Sequence, residues 1–169
     1  SPLELAVFWI DNLLGFGLVP EVARRSVNEQ EGLVKHLILA ARPAVYYKVW
    51  EDMVEPYEIL KAAVLDYILD SRDRRRENFL VDEKSRRLWL INNDYYMLLS
   101  SFNRHDILDT AISKGLTTLP DDLLSSVDKF YGSLPSLMSA TKEKEILEVL
   151  NRARERARTI LDKRLISKT

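Results

Sequence analysis

The stretch from Tyr57 to Asp94 constrains this chain most, because its apolar period changes from helical to extended across one short polar loop. Ile59, Leu60, Ala63, Val64, Tyr67 and Ile68 recur at spacings of three and four, which predicts an amphipathic helix over 57–69. The loop is Asp70-Ser71-Arg72-Asp73-Arg74-Arg75-Arg76-Glu77. Beyond it, 78–81, the turn Asp82-Glu83-Lys84-Ser85 and 87–91 read as a β-hairpin with a loop of ordinary length. Asn92-Asn93-Asp94 closes the second strand.

The flanks place this unit in an α+β frame. Residues 3–14 are apolar around most of a helical circumference, which predicts a buried helix stopped by Gly15 and Gly17. Leu18–Ala23 reads as a short extended segment and Gly32–Ala40 as a strand, giving helix, strand, strand. Pro43 and Pro56 bracket a loop and short helix carrying Tyr46, Tyr47 and Trp50. After Asp94 the pattern is helical, with helices expected over 104–114, 121–131 and 142–164. The last has Ile146, Val149, Leu150, Ala153, Ala157, Ile160, Leu161 and Leu165 on one stripe.

Composition narrows the function classes. The 169 residues suit one domain with a real core, and 46% hydrophobic with 30% charged residues argues against a disordered or collagen-like chain. A net charge of -1 removes the whole-chain electrostatic footprint of a dedicated nucleic-acid binder. Without cysteine there are no disulfides or thiolate metal sites, and His36 and His105 are too few and too separated for a His-rich centre. The longest apolar run, Leu3–Ile10, is interrupted by Glu4 and falls short of the roughly 20 residues of a membrane span. No basic n-region precedes it, so a cytoplasmic protein is expected. Ser1-Pro2 opens directly onto a helical pattern, as in a chain that begins in mid-fold.

The polar residues around the hairpin carry the chemistry. Phosphoryl transfer needs a carboxylate to orient the attacking hydroxyl, and amide or carboxylate oxygens to hold Mg²⁺ against the phosphates. Asp73 and Asn78 flank one tight loop, and 92–94 ends the next strand, in the order that protein-kinase-like catalytic loops use. Read from the residues alone, Asp73 and Asn78 also suit a turn in which both satisfy local backbone groups.

The run from Asp66 to Val81, with Leu88-Trp89-Leu90-Ile91-Asn92-Asn93-Asp94, resembles the catalytic and metal-binding segments of the phosphatidylinositol 3- and 4-kinase-related group, above all its bacterial members and the type II phosphatidylinositol 4-kinases. That group's pattern runs F-D-Y-L-I-G-N-x-D-R-H-x-x-N-W-L-V, then L-W-x-I-D-N-G. Glu4 to Phe8, followed by Asp11 and Leu14-Gly15-x-Gly17-x-Val19-Pro20, is similar to its E-x-A-A-Y and D-x-x-L-G-x-G-x-V-P segments. The resemblance implies a protein-kinase-like fold, mainly the C-terminal lobe, helix-rich with a short catalytic β-hairpin. Residues 1–41 would be a remnant of the N-lobe helix and hinge strands, and 42–169 the helical C-lobe.

By the same resemblance Asp73 would be the catalytic carboxylate, with Arg74 beside it. Glu4 would pair with a phosphate-binding lysine that lies upstream in the family. Adenine would stack on the hinge strand within 32–40, at Lys35, His36 and Leu37, and Asn78, Asn92 and Asp94 would hold Mg²⁺. The cofactors implied are ATP and Mg²⁺, and the partners a nucleotide and a hydroxyl acceptor that is a protein, lipid or small molecule. Two departures from the family pattern stand out: its metal-binding Asp falls on Asn92, and its Gly-rich loop and nucleotide-binding lysine, which precede the Glu4 helix, have no counterpart in these 169 residues; its His after Asp-Arg falls on Arg75, a lesser change. Both an active phosphotransferase and a degenerate pseudokinase or helical interaction module follow from this pattern.

The remaining features read more plainly. Arg72, Arg74, Arg75 and Arg76 suit a solvated loop balanced by Asp70, Asp73 and Glu77, and no aromatic residues interleave them as stacking platforms for nucleic acid would. Phe79 and Trp89 read as core, His36 as a core or edge histidine, His105 as surface, and Arg152, Arg154, Arg156 and Arg158 as a solvated helix face.

Overall fold

The computed structural model describes residues 1–35, 38–94 and 101–168. Helix α1 (Pro2–Leu14) begins with Pro2 in its first turn and Leu3 N–H donating to Ser1 Oγ at 3.2 Å. It ends at Gly15, whose φ of 71° is a left-handed cap that glycine adopts without steric cost. Leu3, Ala6, Val7, Ile10 and Leu14 are buried, as is Asp11. The Asp11 carboxylate accepts the backbone N–H groups of Leu18 at 2.9 Å and Val19 at 3.0 Å, which folds 15–19 back against the helix end.

Strands β1 (Val22–Val27) and β2 (Gln30–Lys35) form an antiparallel hairpin in register from Val22 opposite Lys35 to Val27 opposite Gln30. The expected order of helix, strand, strand holds, but the strands sit closer to their turn than 18–23 and 32–40. The turn is Asn28-Glu29, with φ of 51° and 65°, the paired left-handed conformation of a two-residue hairpin loop. Residues 42–56 contain the short strand β3 (Arg42–Pro43) and two 3₁₀ turns, Ala44–Tyr46 and Trp50–Met53.

Helix α2 (Pro56–Leu69) is more deeply buried than an amphipathic pattern implies: every residue from Ala62 to Leu69 is buried, as are Glu58, Ile59 and Leu60. It packs against β6 and two later helices, so beyond its first turn only Lys61 keeps partial access to water. Its buried acids are both paired. Glu58 accepts Leu88 N–H at 3.1 Å and sits 3.0 Å from Lys61 Nζ, while Asp66 meets Arg74.

After α2 come β4 (Asp73–Arg74) and a 3₁₀ turn over Arg76–Asn78. The predicted hairpin then follows as β5 (Phe79–Asp82) and β6 (Arg87–Leu90), and β3 adds to its edge in the order β3-β5-β6. Phe79, Val81, Leu88 and Leu90 form its inner face. Trp89 was expected in the core, but alternation turns it to the other face, half-buried with the Arg87 guanidinium 5.0 Å above its ring. Strand β7 (Arg104–His105) pairs in parallel with β4.

Three helices complete the chain: α3 (Asp106–Ser113), α4 (Asp121–Ala140) and α5 (Lys144–Lys163). Helix α4 runs past the expected end at 131 despite Pro135 within it, because Leu134 lies in the core beyond that point. The stripe of α5 is buried as predicted through Ile160. Leu165 is not, since Arg164 turns the chain with φ of 58° and Ile166 takes the buried place. Helix α1 packs on α4 and α5, and α2 on α3 and α5, around one apolar core. Among the described residues no helix is long and apolar enough to cross a membrane.

Candidate functional site

The loop between α2 and β5 is organised around Arg74, which has no exposed surface. Its Nε donates to Asp66 Oδ2 at 2.9 Å and its Nη2 to Asp66 Oδ1 at 2.9 Å, a two-pronged pairing with helix α2. Nη2 also donates to Asn93 Oδ1 at 2.7 Å, and Nη1 to the carbonyls of Asn78 at 2.7 Å and Ile91 at 3.2 Å. One guanidinium therefore fixes the end of α2, the loop itself and the segment after β6. A charge this buried is tolerable only with all its donors engaged. The run of arginines is accordingly not a uniformly solvated loop: Arg72 is exposed, Arg75 and Arg76 are half-buried, and Arg74 is core. Arg74 cannot touch a ligand and acts as a positioning residue for its neighbours.

Asp73 and Asn78, the pair singled out in the sequence, are brought together. Asn78 Nδ2 donates to the Asp73 carbonyl at 2.6 Å, closing the loop on itself. Asp73 is 8% exposed, and Arg75 Nε lies 2.6 Å from its Oδ1. The side chain that follows Asp-Arg thus neutralises the candidate base. Arg75 in turn stacks 5.3 Å from the centre of the Phe102 ring.

The 92–94 segment meets this loop directly. Asn92, with φ of 55°, turns so that its Nδ2 donates to Asn78 Oδ1 at 3.1 Å. Asn93 is buried between Arg74 and the Leu90 carbonyl, which it reaches at 2.8 Å. Asp94 is half-buried.

A cleft of about 120 Å³ lies beside Asn92 and Asn93, walled by Val19, Pro20, Val22, Leu90 and Ile91, with Glu4 on its rim. Glu4 is buried to 7% exposure, at the start of α1. Leu90 N–H donates to the Leu18 carbonyl at 2.8 Å, and Arg87 Nη2 to the Gly17 carbonyl at 2.7 Å. These bonds seat the chain after α1 on the hairpin and set Glu4 across from the 92–94 segment. Glu4 also lines a wider groove of about 890 Å³ between α1 and the β1–β2 hairpin. Of the residues expected at the hinge, His36 and Leu37 lie outside the described residues, and Lys35 enters only through its backbone at the end of β2.

These donors do not fit a protein-held Mg²⁺ centre. Mg²⁺ takes hard, charged oxygens in octahedral geometry. Here an amide N–H of Asn92 faces the Asn78 oxygen that would ligate, and 92–94 offers a single carboxylate, Asp94. Among the described residues no three His, Cys, Asp or Glu side chains are grouped to hold a metal ion.

Asp66 and Asn93 are the functional neighbours that site reasoning from sequence passed over. An acid on an otherwise apolar helix face demands a buried cation, and that was the available signal for Asp66. Nothing in the Asn-Asn-Asp run distinguishes the buried Asn93 from the exposed Asn92. Compared with known proteins, the chain matches no family model and no curated protein.

Proposed function

We propose that this chain is a protein-kinase-like domain of the phosphatidylinositol 3- and 4-kinase-related class that works as a degenerate, ligand-binding member. One observation carries the reading: Arg74 ties the Asn78 carbonyl to the 92–94 segment, Asn78 closes on the Asp73 carbonyl, and Asn92 and Asn93 share a cleft with Glu4. The element order of helix, antiparallel pair, buried helix, polar loop, hairpin and helical remainder supports it. The cleft has apolar walls with a few convergent polar groups, the usual make-up of a small-molecule site. It opens beside the wider groove, which would take the bulk of a nucleotide. In this reading Glu4 and the amides of Asn92 and Asn93 orient the ligand, and the Asp73–Arg75 ion pair keeps the carboxylate from serving as a base.

The second reading is an active phosphotransferase with Asp73 as base. The buried Asp73 beside Asn78 favours it. Calorimetry with ATP, with and without Mg²⁺, separates the two. Degenerate binding predicts ATP affinity that Mg²⁺ leaves unchanged, no ATP turnover, and Mg²⁺-dependent binding only in Asn92→Asp. Mg²⁺-dependent turnover in the unmodified chain, abolished by Asp73→Asn, would establish the active reading instead.

A further inference from the structure

A second cavity, of about 390 Å³, lies behind the Asp73 loop, where the end of α2, the 101–105 segment and the C-terminal end of the chain converge. Arg72, Arg156 and Lys168 line it together with Ser71, Asp70 and His105. Its volume falls within the roughly 300–1,000 Å³ of small-molecule sites.

Its charge is organised for an anion. Asp70 holds two guanidiniums at once, with Arg72 Nη2 at 3.1 Å from Oδ2 and Arg156 Nη1 at 3.9 Å from Oδ1. One carboxylate is therefore shared by two cations, and the other acid of the lining, Asp66, is already consumed by Arg74. Arg156 is held in place by its Nε, which donates to the Tyr67 carbonyl, and by stacking 4.0 Å from the centre of the Tyr67 ring. Lys168 reaches the cavity from the chain's other end and contacts Asp109 at 2.9 Å.

Ser71 supplies the independent sign of a ligand. It is 1% exposed, and among the described residues its hydroxyl has no hydrogen-bond partner. Burying a hydroxyl unpaired is costly, and such a group at the wall of a cationic cavity is a donor waiting for an acceptor.

We infer that this cavity binds a phosphate ester, with Ser71, Arg72, Arg156 and Lys168 as its donors. Two guanidiniums with a shared counter-ion suit the several oxygens of a phosphate better than the two of a carboxylate. The inference stands apart from the kinase-like reading, since none of these donors lies in the cleft between Glu4 and Asn92.

Calorimetric titration of the full chain with pyrophosphate tests it. Saturable binding is expected, weakened about tenfold by Arg72→Ala and by Lys168→Ala, the loss of one charge-assisted bond each. Ser71→Ala should lower the affinity while raising the melting temperature of the free protein, a pair of opposite signs that a purely structural serine would not give. Lys129→Ala, exposed on α4 and outside every cavity described, should change neither. No saturable binding at millimolar pyrophosphate, or equal weakening by Lys129→Ala, overturns the site. Vesicles of phosphatidylcholine doped with phosphatidic acid identify the source. Sedimentation that pyrophosphate competes and Lys168→Ala abolishes assigns a lipid headgroup, and pyrophosphate binding without sedimentation assigns a soluble ester. Sedimentation without pyrophosphate binding overturns the cavity as the site, because surface charge alone would then suffice.

Discussion

Asp11 shows what a single buried acid does in this chain. It accepts two backbone N–H groups that close the Gly15–Val19 turn, yet burial outweighs those bonds and pushes its carboxyl up to about 6 from 3.8. A carboxyl whose folded value is raised binds its proton more tightly in the native state, so its contribution to stability grows as pH falls from about 6 towards 4. The span corresponds to about 3 kcal/mol. Asp11→Asn keeps an acceptor for Leu18 and Val19 without the charge. Its stability advantage over the unmodified chain, measured by urea denaturation, should therefore shrink by up to about 3 kcal/mol between pH 7 and pH 4. A constant difference across that range would remove burial as the cause. Asp11 entered the sequence reading only through a family pattern, because a turn-closing acid has no period of its own. Asp73 and Asn78 were legible through their spacing, and their partner Arg74 was legible as a charge but not as core.

At the scale of elements, legibility followed period. The 57–69 helix, the 79–90 hairpin and the stripe of α5 each repeat an apolar pattern long enough to be read, and all three form. Strand β1 repeats no such pattern although it forms, since Val22-Ala23-Arg24-Arg25-Ser26-Val27 mixes charges into a short run and Glu29 is an unusual residue for its turn. Helix α4, expected over 121–131, runs on to Ala140, because packing against α1 and α5 carries it through Gly132 and Pro135. Glu29 at φ of 65° holds a conformation that costs a side-chain-bearing residue about 1 kcal/mol or more. Glu29→Gly should relieve it and slow hydrogen exchange of the β1 and β2 amides about fivefold, a gain of roughly 1 kcal/mol in local opening. Unchanged exchange would mean that the turn does not limit the hairpin.

Across the whole molecule, α2 is the axis on which the rest is assembled, touching α3, α5 and the hairpin that carries the site. Phe130 on α4 and Trp50 before α2 belong to the same core, with Trp50 edge-on to Phe79 at 4.9 Å. Removing Phe130 should thus be felt as far away as the site. Phe130→Ala is expected to cost about 3–5 kcal/mol, with tryptophan fluorescence and far-UV circular dichroism reporting the same shifted transition. Two separate transitions would divide the chain into independent units. The expectation of a kinase-like frame rests on a resemblance alone, because element order on its own does not specify chemistry. Arg74 sits wholly inside, whereas Arg75 reaches solvent beside the buried Asp73. The loop's shape is secured by a residue that takes no part in ligand chemistry, so its outward neighbours are free to drift. Substitutions at outward positions such as 75 and 92 would therefore leave the same scaffold intact.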